Sequence, residues 1–370
     1  MEQTIDLNPI PYLTWTWLKI NKDSVTYDFS LSENNGTDQQ IPDGVSVTSG
    51  KKVQTQLAEP ENSIGKEADE LITGATTGKI YTFEKGEAGD DTKPLIIRIN
   101  VDSNCATHNI IHAKAGTNCN VIIVYTGSGV PQVFKENLVS SQSERQSLEG
   151  TTTVSGVVTK VYAEEGSTVH ISKVQLCDTS VNQIDDTQIV CGDNAKVTLT
   201  QIELGGSHIN ASFHATLSGY QSKFESDTAY ICSKNQYIDM NQTVVHTGTK
   251  TQCNMKTDGT VKDNTTKTYR GTIDMRKGCC GSKGNEMETT LLLSPQAVVK
   301  AAPIILCGEE DISAEHGSTI GKLSPEMLFY MNTRGIDQAT AEELLTKAKI
   351  SAAAAKIPSE DIRQEIEDYI

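Results

Sequence analysis

The sequence predicts a mainly β protein whose core is a β-solenoid, a chain wound into stacked coils. Between about residues 95 and 307, runs of Val, Ile and Thr occur at period two and are broken every few residues by Gly, Asn or Asp, as strands and turns require. One unit of this region is repeated. Val169, Ile171, Val174 and Leu176 recur 28 positions later as Val197, Leu199, Ile202 and Leu204, and the copies follow turns that contain Gly166 and Gly192. Each coil of a solenoid buries its apolar face only against its neighbours, so this repeat favours that architecture.

The repeat makes a specific prediction, namely that Val169, Ile171, Val197 and Leu199 all point into one core. Periodicity leaves a sandwich of ordinary hairpins as the alternative, and it does not determine handedness. We divide the chain into an N-terminal irregular or helical segment (1–94), the solenoid core (95–322) and a C-terminal helical segment (323–370).

The N-terminal segment has little regular patterning. Both tryptophans, Trp15 and Trp17, lie near its start and predict a small packed element. Residues 28 to 92 are polar, acidic and rich in Gly, Asn and Asp, which predicts irregular structure. The exceptions are a short helix near Ser63 to Ile72 and an extended run at Lys79 to Phe83.

The C-terminal segment carries three helix signals. Ser324 caps a helix that begins at Pro325 and ends at Gly335, and Asp337 begins a second helix. The predicted apolar stripe of the second helix consists of Ala341, Leu344, Leu345 and Ala348, and that of the third of Ile362, Ile366, Tyr369 and Ile370. Such helices must lay their stripes against the solenoid or against another protein.

The charge balance excludes some classes of partner. The chain of 370 residues has 32 basic and 48 acidic side chains, a net charge of −16, which repels nucleic acid and anionic lipid headgroups. No apolar run approaches the ~20 residues of a membrane span, and residues 1–20 do not resemble a signal peptide. We therefore expect a cytoplasmic protein that binds neither nucleic acid nor membranes. Its nine cysteines form no C-x-x-C pair, which is typical of reduced thiols.

Six sequence blocks stand out in the second half of the chain, in the order Asp239–Gly248, Tyr269–Ile273, Glu288–Ser294, Pro303–Leu306, His316–Gly321 and Leu328–Gly335. Together, in this order and spacing, they resemble the SufB/SufD family of iron–sulfur cluster assembly scaffolds. The resemblance is strong over residues 239–350 and looser in the β region before them. SufB members usually carry Glu after the motif histidine, so Gly317 favours the SufD type. A SufB-like scaffold that itself holds the nascent cluster is the alternative.

The resemblance implies a right-handed parallel β-helix that pairs with a SufB-like subunit or a second copy of itself. It also implies that the C-terminal helices bind a SufC-like ABC ATPase. The predicted docking residues are Leu328, Phe329, Tyr330, Arg334, Leu344 and Leu345. The motif G-x-x-x-x-G-K-[ST] is absent around Lys283, so we expect no ATP site of the chain's own and no enzymatic activity.

His316 is the principal candidate ligand for a transient iron–sulfur cluster or iron, because a neutral imidazole ligates iron and the position matches the family's motif histidine. A structural histidine at the end of the solenoid is the alternative. The cysteine that the family often has two residues earlier is Ala314 here. Cys307 would supply a thiolate instead, unless it is a buried strand cysteine, and Glu315 would supply a carboxylate, unless it is a solvated edge residue.

Two further possibilities follow from the residues. Cys279 and Cys280 lie in a Gly-rich turn and are poorly placed to chelate one metal together, which leaves sulfur acceptance as their candidate role. A β-helix carbohydrate-active enzyme is the alternative from another functional class. It would need a carboxylate ladder and aromatic side chains, whereas only 5% of this chain is aromatic.

Overall fold

A computed structural model of the chain describes residues 2–11, 18–84, 93–127 and 152–370. The element predicted around Trp15 and Trp17 lies outside these residues. Within these ranges the fold is mainly β, with 53% of the described residues in strands and four helices. None of the helices in the described ranges is long and apolar enough to cross a membrane.

The regular elements are numbered in chain order. The strands are β1 (Glu2–Leu7), β2 (Asp23–Asp28), β3 (Ser32–Glu33), β4 (Thr37–Gln40), β5 (Val45–Ser49), β6 (Lys79–Phe83), β7 (Leu95–Val101), β8 (Cys105–Ala113), β9 (Asn118–Gly127), β10 (Thr153–Ala163), β11 (Thr168–Leu176), β12 (Val181–Cys191), β13 (Lys196–Glu203), β14 (His208–Leu217), β15 (Lys223–Cys232), β16 (Tyr237–His246), β17 (Gln252–Val261), β18 (Thr266–Met275), β19 (Ser282–Leu292), β20 (Val298–Cys307) and β21 (Ile312–Gly321). The helices are α1 (Lys66–Gly74), α2 (Pro325–Thr333), α3 (Gln338–Ala354) and α4 (Glu360–Tyr369).

The core is a parallel β-solenoid of about seven coils. Sheet I contains the even-numbered strands from β20 back to β6, followed by β5, and sheet II contains the odd-numbered strands from β21 back to β7, followed by β4. Each coil contributes one strand to each sheet, and adjacent coils pair in parallel. Val169 and Ile171 are the register partners of Val197 and Leu199, and all four are buried in one core cluster. The predicted solenoid is therefore confirmed and the hairpin sandwich is wrong. The right-handed sense stays a prediction.

The interior of the solenoid is only partly apolar. Side chains of one core cluster fill one half of the cross-section from β6 to β18. The other half holds charged side chains that face each other between the sheets. Lys173 donates to Asp185 at 2.6 Å, and Lys267 donates to Glu288 at 2.5 Å. All four are at most 1% exposed, so each charge is neutralised by its partner and not by water.

The N-terminal segment covers the outer face of sheet I. β1 and β2 pair antiparallel, and α1 packs Ala68 and Ile72 onto β8 and β10. Gly156 allows this close approach, because a Cβ there would lie 2.6 Å from Ile72 Cγ1. The contact is also polar: Arg270 Nε donates to the Ile20 carbonyl at 2.5 Å, and Asn8 Nδ2 donates to Asp239 Oδ1 at 2.6 Å.

Two expectations for residues 28–92 differ from the structure. The short helix starts at Lys66, three residues later than predicted, whereas the extended run at Lys79–Phe83 is β6 as predicted. The prediction of irregular structure elsewhere is wrong, since β3, β4 and β5 lie in this stretch. Their side chains are mostly exposed, so they pair with β8, β7 and β6 without an apolar alternation that the sequence could display.

The C-terminal helices begin where the sequence predicts. The side chains of Ser324 and Asp337 accept hydrogen bonds from the backbone N–H groups three residues on, and Gly335 has φ +82°. The stripe of α4 is buried as predicted. The stripe predicted for α3 is wrong beyond Ala341, because Leu344 is 48% exposed and Ala348 is exposed. The buried face of α3 is formed by Ala341, Thr346, Ile350, Ala353 and Ala354.

The error in α3 has a geometric cause. The second half of α3 and the whole of α4 lie on the outer face of sheet II and cover apolar side chains of β9, β11, β13 and β15. That contact turns the helix so that Ile350 faces the sheet. Leu344 and Leu345 then fall at its margin, half-buried or exposed. The sequence of α3 contains two overlapping apolar stripes. Packing against sheet II buries the stripe that includes Ile350 and leaves the predicted one largely exposed beyond Ala341.

The last coil ends the solenoid with open strand edges. β20 and β21 are the terminal strands of sheets I and II, and within the described ranges neither has a neighbour on its outer side. Most of their side chains are half-buried or exposed, including those that point between the sheets. In the interior coils the corresponding positions are buried. This open end contains every ligand position singled out from the sequence.

Candidate functional site

His316 lies at the open end, in the middle of β21. Its neighbours at two-residue spacing, Ala314 and Ser318, point between the sheets: Ala314 packs on the core, and Ser318 Oγ donates to Glu288 Oε2 at 2.5 Å. Side chains two apart on a strand share a face, so His316 also points between the sheets. Its imidazole is exposed and makes no hydrogen bond with another described residue. The alternative of a structural, hydrogen-bonded histidine therefore finds no support within the described ranges.

Directly beneath His316, one coil further in, lies Glu286. The two residues are register partners on β21 and β19. Glu286 is 0% exposed, yet neither Oε1 nor Oε2 has a hydrogen-bond partner among the described residues. Burial raises the pKa of this carboxyl to about 7, and the nearby Tyr269 hydroxyl offsets the rise only in part. The side chain reaches across to sheet I, where Gly271 leaves room, because a Cβ there would lie 2.0 Å from Glu286 Oε1.

Glu288, two residues along the same strand, has a contrasting environment. It accepts hydrogen bonds from Lys267 Nζ, Thr290 Oγ1 and Ser318 Oγ, each at 2.5 Å. Burial lowers the pKa of Lys267, and Glu288 opposes that shift. Of two neighbouring buried carboxylates on one face, Glu288 is thus fully satisfied, whereas Glu286 has only the Tyr269 hydroxyl near it among the described residues.

The other predicted ligands lie around this mouth but not all on one face. Cys307 is the last residue of β20, on the edge of sheet I, and is exposed, so the alternative of a buried strand cysteine is wrong. Glu315 precedes His316 and leaves β21 on the opposite, outer face, where it lines a groove of about 250 Å³ beside Lys283 and Asn285. In the described ranges, no three His, Cys, Asp or Glu side chains converge as a metal site.

The adjacent pair Cys279 and Cys280 is divided between core and surface. Cys279 is buried in the core cluster, whereas Cys280 is exposed and its Sγ donates to Asp311 Oδ2 at 2.9 Å. The hydrogen bond to Asp311 raises the pKa of the Cys280 thiol. A thiol is a poorer nucleophile than a thiolate, so this contact weakens Cys280 as a sulfur acceptor.

The predicted docking residues lie mostly on α2, which buries none of its side chains. Phe329 is 71% exposed and Tyr330 59% exposed, and the guanidinium of Arg334 lies 5.3 Å from the centre of the Tyr330 ring. Leu328 is half-buried in the same helix. An exposed aromatic pair with a neighbouring arginine has the composition that is enriched at interface centres.

Sequence reasoning missed Glu286 as a site residue, and it used Glu288 only as part of a sequence block. Their spacing of two in a strand indicated a shared face, but the polar pattern implied the solvent side. The pairing of β19 with β21 and the contact of Lys267 with Glu288 across the solenoid are what place both carboxylates in the solenoid interior. One sequence signal could have identified both glutamates as interior residues. They follow Gly284 at two-residue spacing, and Gly284 occupies the same position in its coil as the buried Cys253 does in the preceding coil.

A family model described as the SufBD core domain of the SUF system for FeS cluster assembly matches residues 97–349. The chain is 24% identical over 245 residues to the iron–sulfur cluster assembly protein SufD of Bacillus subtilis, covering 57% of this chain and 55% of SufD. It is 22% identical over 211 residues to SufB of the same organism, covering 57% of this chain and 45% of SufB. A chloroplast SufBD family protein of Arabidopsis thaliana is 22% identical over 211 residues, with coverage of 55% and 38%.

The chain thus spans about half or less of the length of these curated relatives. The identity to SufD exceeds that to SufB, in agreement with Gly317 after the motif histidine. The matched range includes all of the solenoid from β8 onward and both helices α2 and α3 almost to the end of the latter. The chain belongs to the SufB/SufD family of iron–sulfur cluster assembly proteins.

Proposed function

We propose that this chain is a SufD-like, non-catalytic scaffold subunit of a cytoplasmic SUF complex. The observation that carries the proposal is the open end of the solenoid, where β20 and the His316-bearing β21 have no outer neighbour among the described residues. Unpaired edges favour the addition of strands from another chain. The partner is a SufB-like subunit or a second copy of this chain, joined through β20 and β21.

Pairing at this end would place His316 and Cys307 at the subunit boundary. Imidazole and thiolate are both ligands of iron in proteins, and both side chains are exposed here. A nascent cluster or iron held between two subunits, as cargo and not as a resident cofactor, would be released when the partner moves. Glu315, on the outer face, would contribute only as a carboxylate at the rim.

ATP hydrolysis would come from a SufC-like ATPase bound to the C-terminal segment. The exposed surface of α2, formed by Phe329, Tyr330 and Arg334, fits such an interface, with Leu328, Leu344 and Leu345 at its margin. A SufB-like scaffold is the second candidate, since the identities to SufD and SufB differ by only two percentage points, 24% against 22%. Gly317 favours the first.

Replacing His316 by alanine is expected to lower cluster maturation by roughly tenfold or more, while complex formation continues, because a ligand is removed without touching the core. Maturation is measured as the activity of an iron–sulfur enzyme in cells that depend on this complex. Glu315→Gln is the matched control, one residue away on the opposite face, and is expected to have a much smaller effect. Normal maturation in H316A would overturn the ligand role.

The C-terminal helices cannot simply be deleted to test docking, because α3 and α4 cover apolar side chains of sheet II. The double variant Phe329→Ala, Tyr330→Ala changes only exposed side chains of α2. We expect it to weaken ATPase binding by about 2–4 kcal/mol, roughly 30-fold or more in Kd, with an unchanged melting temperature. Binding of the ATPase is measured by titration calorimetry.

Tyr220→Ala is the control for this surface. Tyr220 is also an exposed aromatic, 41% accessible, with a cation beside its ring: Lys250 Nζ is 5.6 Å from the ring centre. It lies in a turn between coils, away from α2. Equal loss of ATPase affinity in the two variants, or no loss in either, would argue against docking at α2.

A further inference from the structure

The strongest anomaly in the solenoid is the carboxylate of Glu286. A buried polar atom without a partner is costly, and native proteins satisfy nearly all of them. Glu286 is 0% exposed, and neither of its carboxylate oxygens forms a hydrogen bond of normal geometry with another described residue. Glu288, only two residues away, accepts three hydrogen bonds. The same strand therefore satisfies one carboxylate completely, whereas the next one has only the nearby Tyr269 hydroxyl as a donor among the described residues.

The position of Glu286 explains what such a carboxylate can bind. A single coil, β20 and β21, separates it from the open end of the solenoid. In this last coil, His316 is the register partner of Glu286. On the opposite sheet, Pro303 is the register partner of Gly271. Pro303 has no backbone N–H to donate. Among the described residues in register above the carboxylate, the exposed imidazole of His316 is therefore the one with ligand chemistry.

We propose that Glu286 and His316 together form a binding site for one divalent transition-metal ion, with ferrous iron as the substrate that the site takes. An imidazole nitrogen and a carboxylate oxygen suit Fe(II), and neither ligand type is as soft as the thiolates that hold completed clusters. This inference rests on the proposed function and deepens it, since it assigns the iron to a carboxylate and imidazole pair inside the mouth.

The site also gives Gly271 a role in positioning the carboxylate. Glu286 Oε1 occupies the space that a Cβ at residue 271 would need, at 2.0 Å. Gly271→Ala would therefore displace the carboxylate while both ligand side chains, Glu286 and His316, stay chemically unchanged. This variant therefore tests whether the position of the Glu286 carboxylate matters, whereas Glu286→Gln tests whether its chemical identity matters.

The experiment is an anaerobic titration of the full chain with Fe(II) alone by calorimetry, repeated with Co(II) to follow its visible absorption. We expect one ion per wild-type chain. Glu286→Gln and His316→Ala should each weaken binding at least tenfold, and the double variant should be little worse than either, because both ligands hold the same ion. Gly271→Ala should weaken binding in the same direction. Melting temperature and circular dichroism check that each variant is folded.

Glu203→Gln is the control, since Glu203 is another buried interior glutamate with one oxygen lacking a partner, several coils away. It should bind iron as the wild type does. Wild-type affinity in E286Q, separate additive losses in the two single variants, or no iron binding by the wild-type chain would overturn the inference. If E286Q binds normally while H316A fails in cluster maturation, only this inference fails. If H316A matures clusters normally, the proposed function fails at His316, and the titration still decides the role of Glu286.

Discussion

Replacing Arg270 by methionine is expected to destabilise the folded chain by about 3–5 kcal/mol, the range found when one partner of a buried ion pair is removed. Arg270 is 0% exposed on the outer face of sheet I, beneath the N-terminal segment. Its guanidinium pairs with Asp239 and donates to the Ile20 carbonyl. Methionine fills the volume but, among the described residues, leaves the Asp239 carboxylate with the hydrogen bond from Asn8 alone.

Urea denaturation followed by circular dichroism measures this loss. Arg276→Met is the matched control, because Arg276 follows the same strand but is 46% exposed and pairs with Asp274 at the surface. An exposed pair of this kind contributes about 0–1 kcal/mol. If both arginine variants lost the same small amount, Arg270 would not be the residue that fastens the N-terminal segment.

Glu203→Gln is expected to stabilise the chain at pH 8, by up to about 4 kcal/mol, and to leave it nearly unchanged at pH 4.5. Burial raises the pKa of Glu203 from 4.5 to about 8, with a further rise from Asp185. The folded-state pKa is above the unfolded one, so the protonated carboxyl stabilises the fold fully below pH 4.5, and that contribution is lost as the pH rises through 8. Glutamine cannot ionise and avoids the loss.

The charges that face Glu203 act in both directions. Gln201 donates to Glu203 Oε1 at 2.8 Å and, like Lys173, lowers the pKa of Glu203, whereas the Asp185 carboxylate raises it. Unfolding free energies of the wild type and E203Q at pH 4.5, 6 and 8 test the prediction. Glu225→Gln, on the exposed face of β15, should follow the wild-type curve. Parallel curves for the wild type and E203Q across this range would contradict it.

The coil structure was predictable because residues that repeat at the length of one coil occupy equivalent positions in adjacent coils. The offset between Val169 and Val197 is the length of one coil, and it identified their shared burial before any pairing was known. Helix ends were predictable for a similar reason, because the caps Ser324 and Asp337 act on backbone groups within one turn of the chain. Local signals therefore determined the architecture.

The interior charges could not be predicted because their partners lie on other strands. Lys267 and Glu288 are 21 residues apart and meet only across the space between the two sheets. Either residue alone has the composition of a solvent-facing position. The candidate site shows the same limit, since His316 was identified by its motif whereas Glu286 becomes visible only through the register of β19 and β21.

The C-terminal helices couple coils of the solenoid that are not adjacent to each other. Coils of a solenoid normally couple only to adjacent coils, so such a stack can lose its ends one unit at a time. Here α3 and α4 contact four coils at once, and Arg98 on β7 forms an ion pair with Glu365 at 2.5 Å while Lys349 pairs with Asp258 on β17. Strands five coils apart are thereby linked through one helical layer. The middle of the molecule should open as a single cooperative unit, while the last coil, which carries His316, is free to fluctuate without disturbing it.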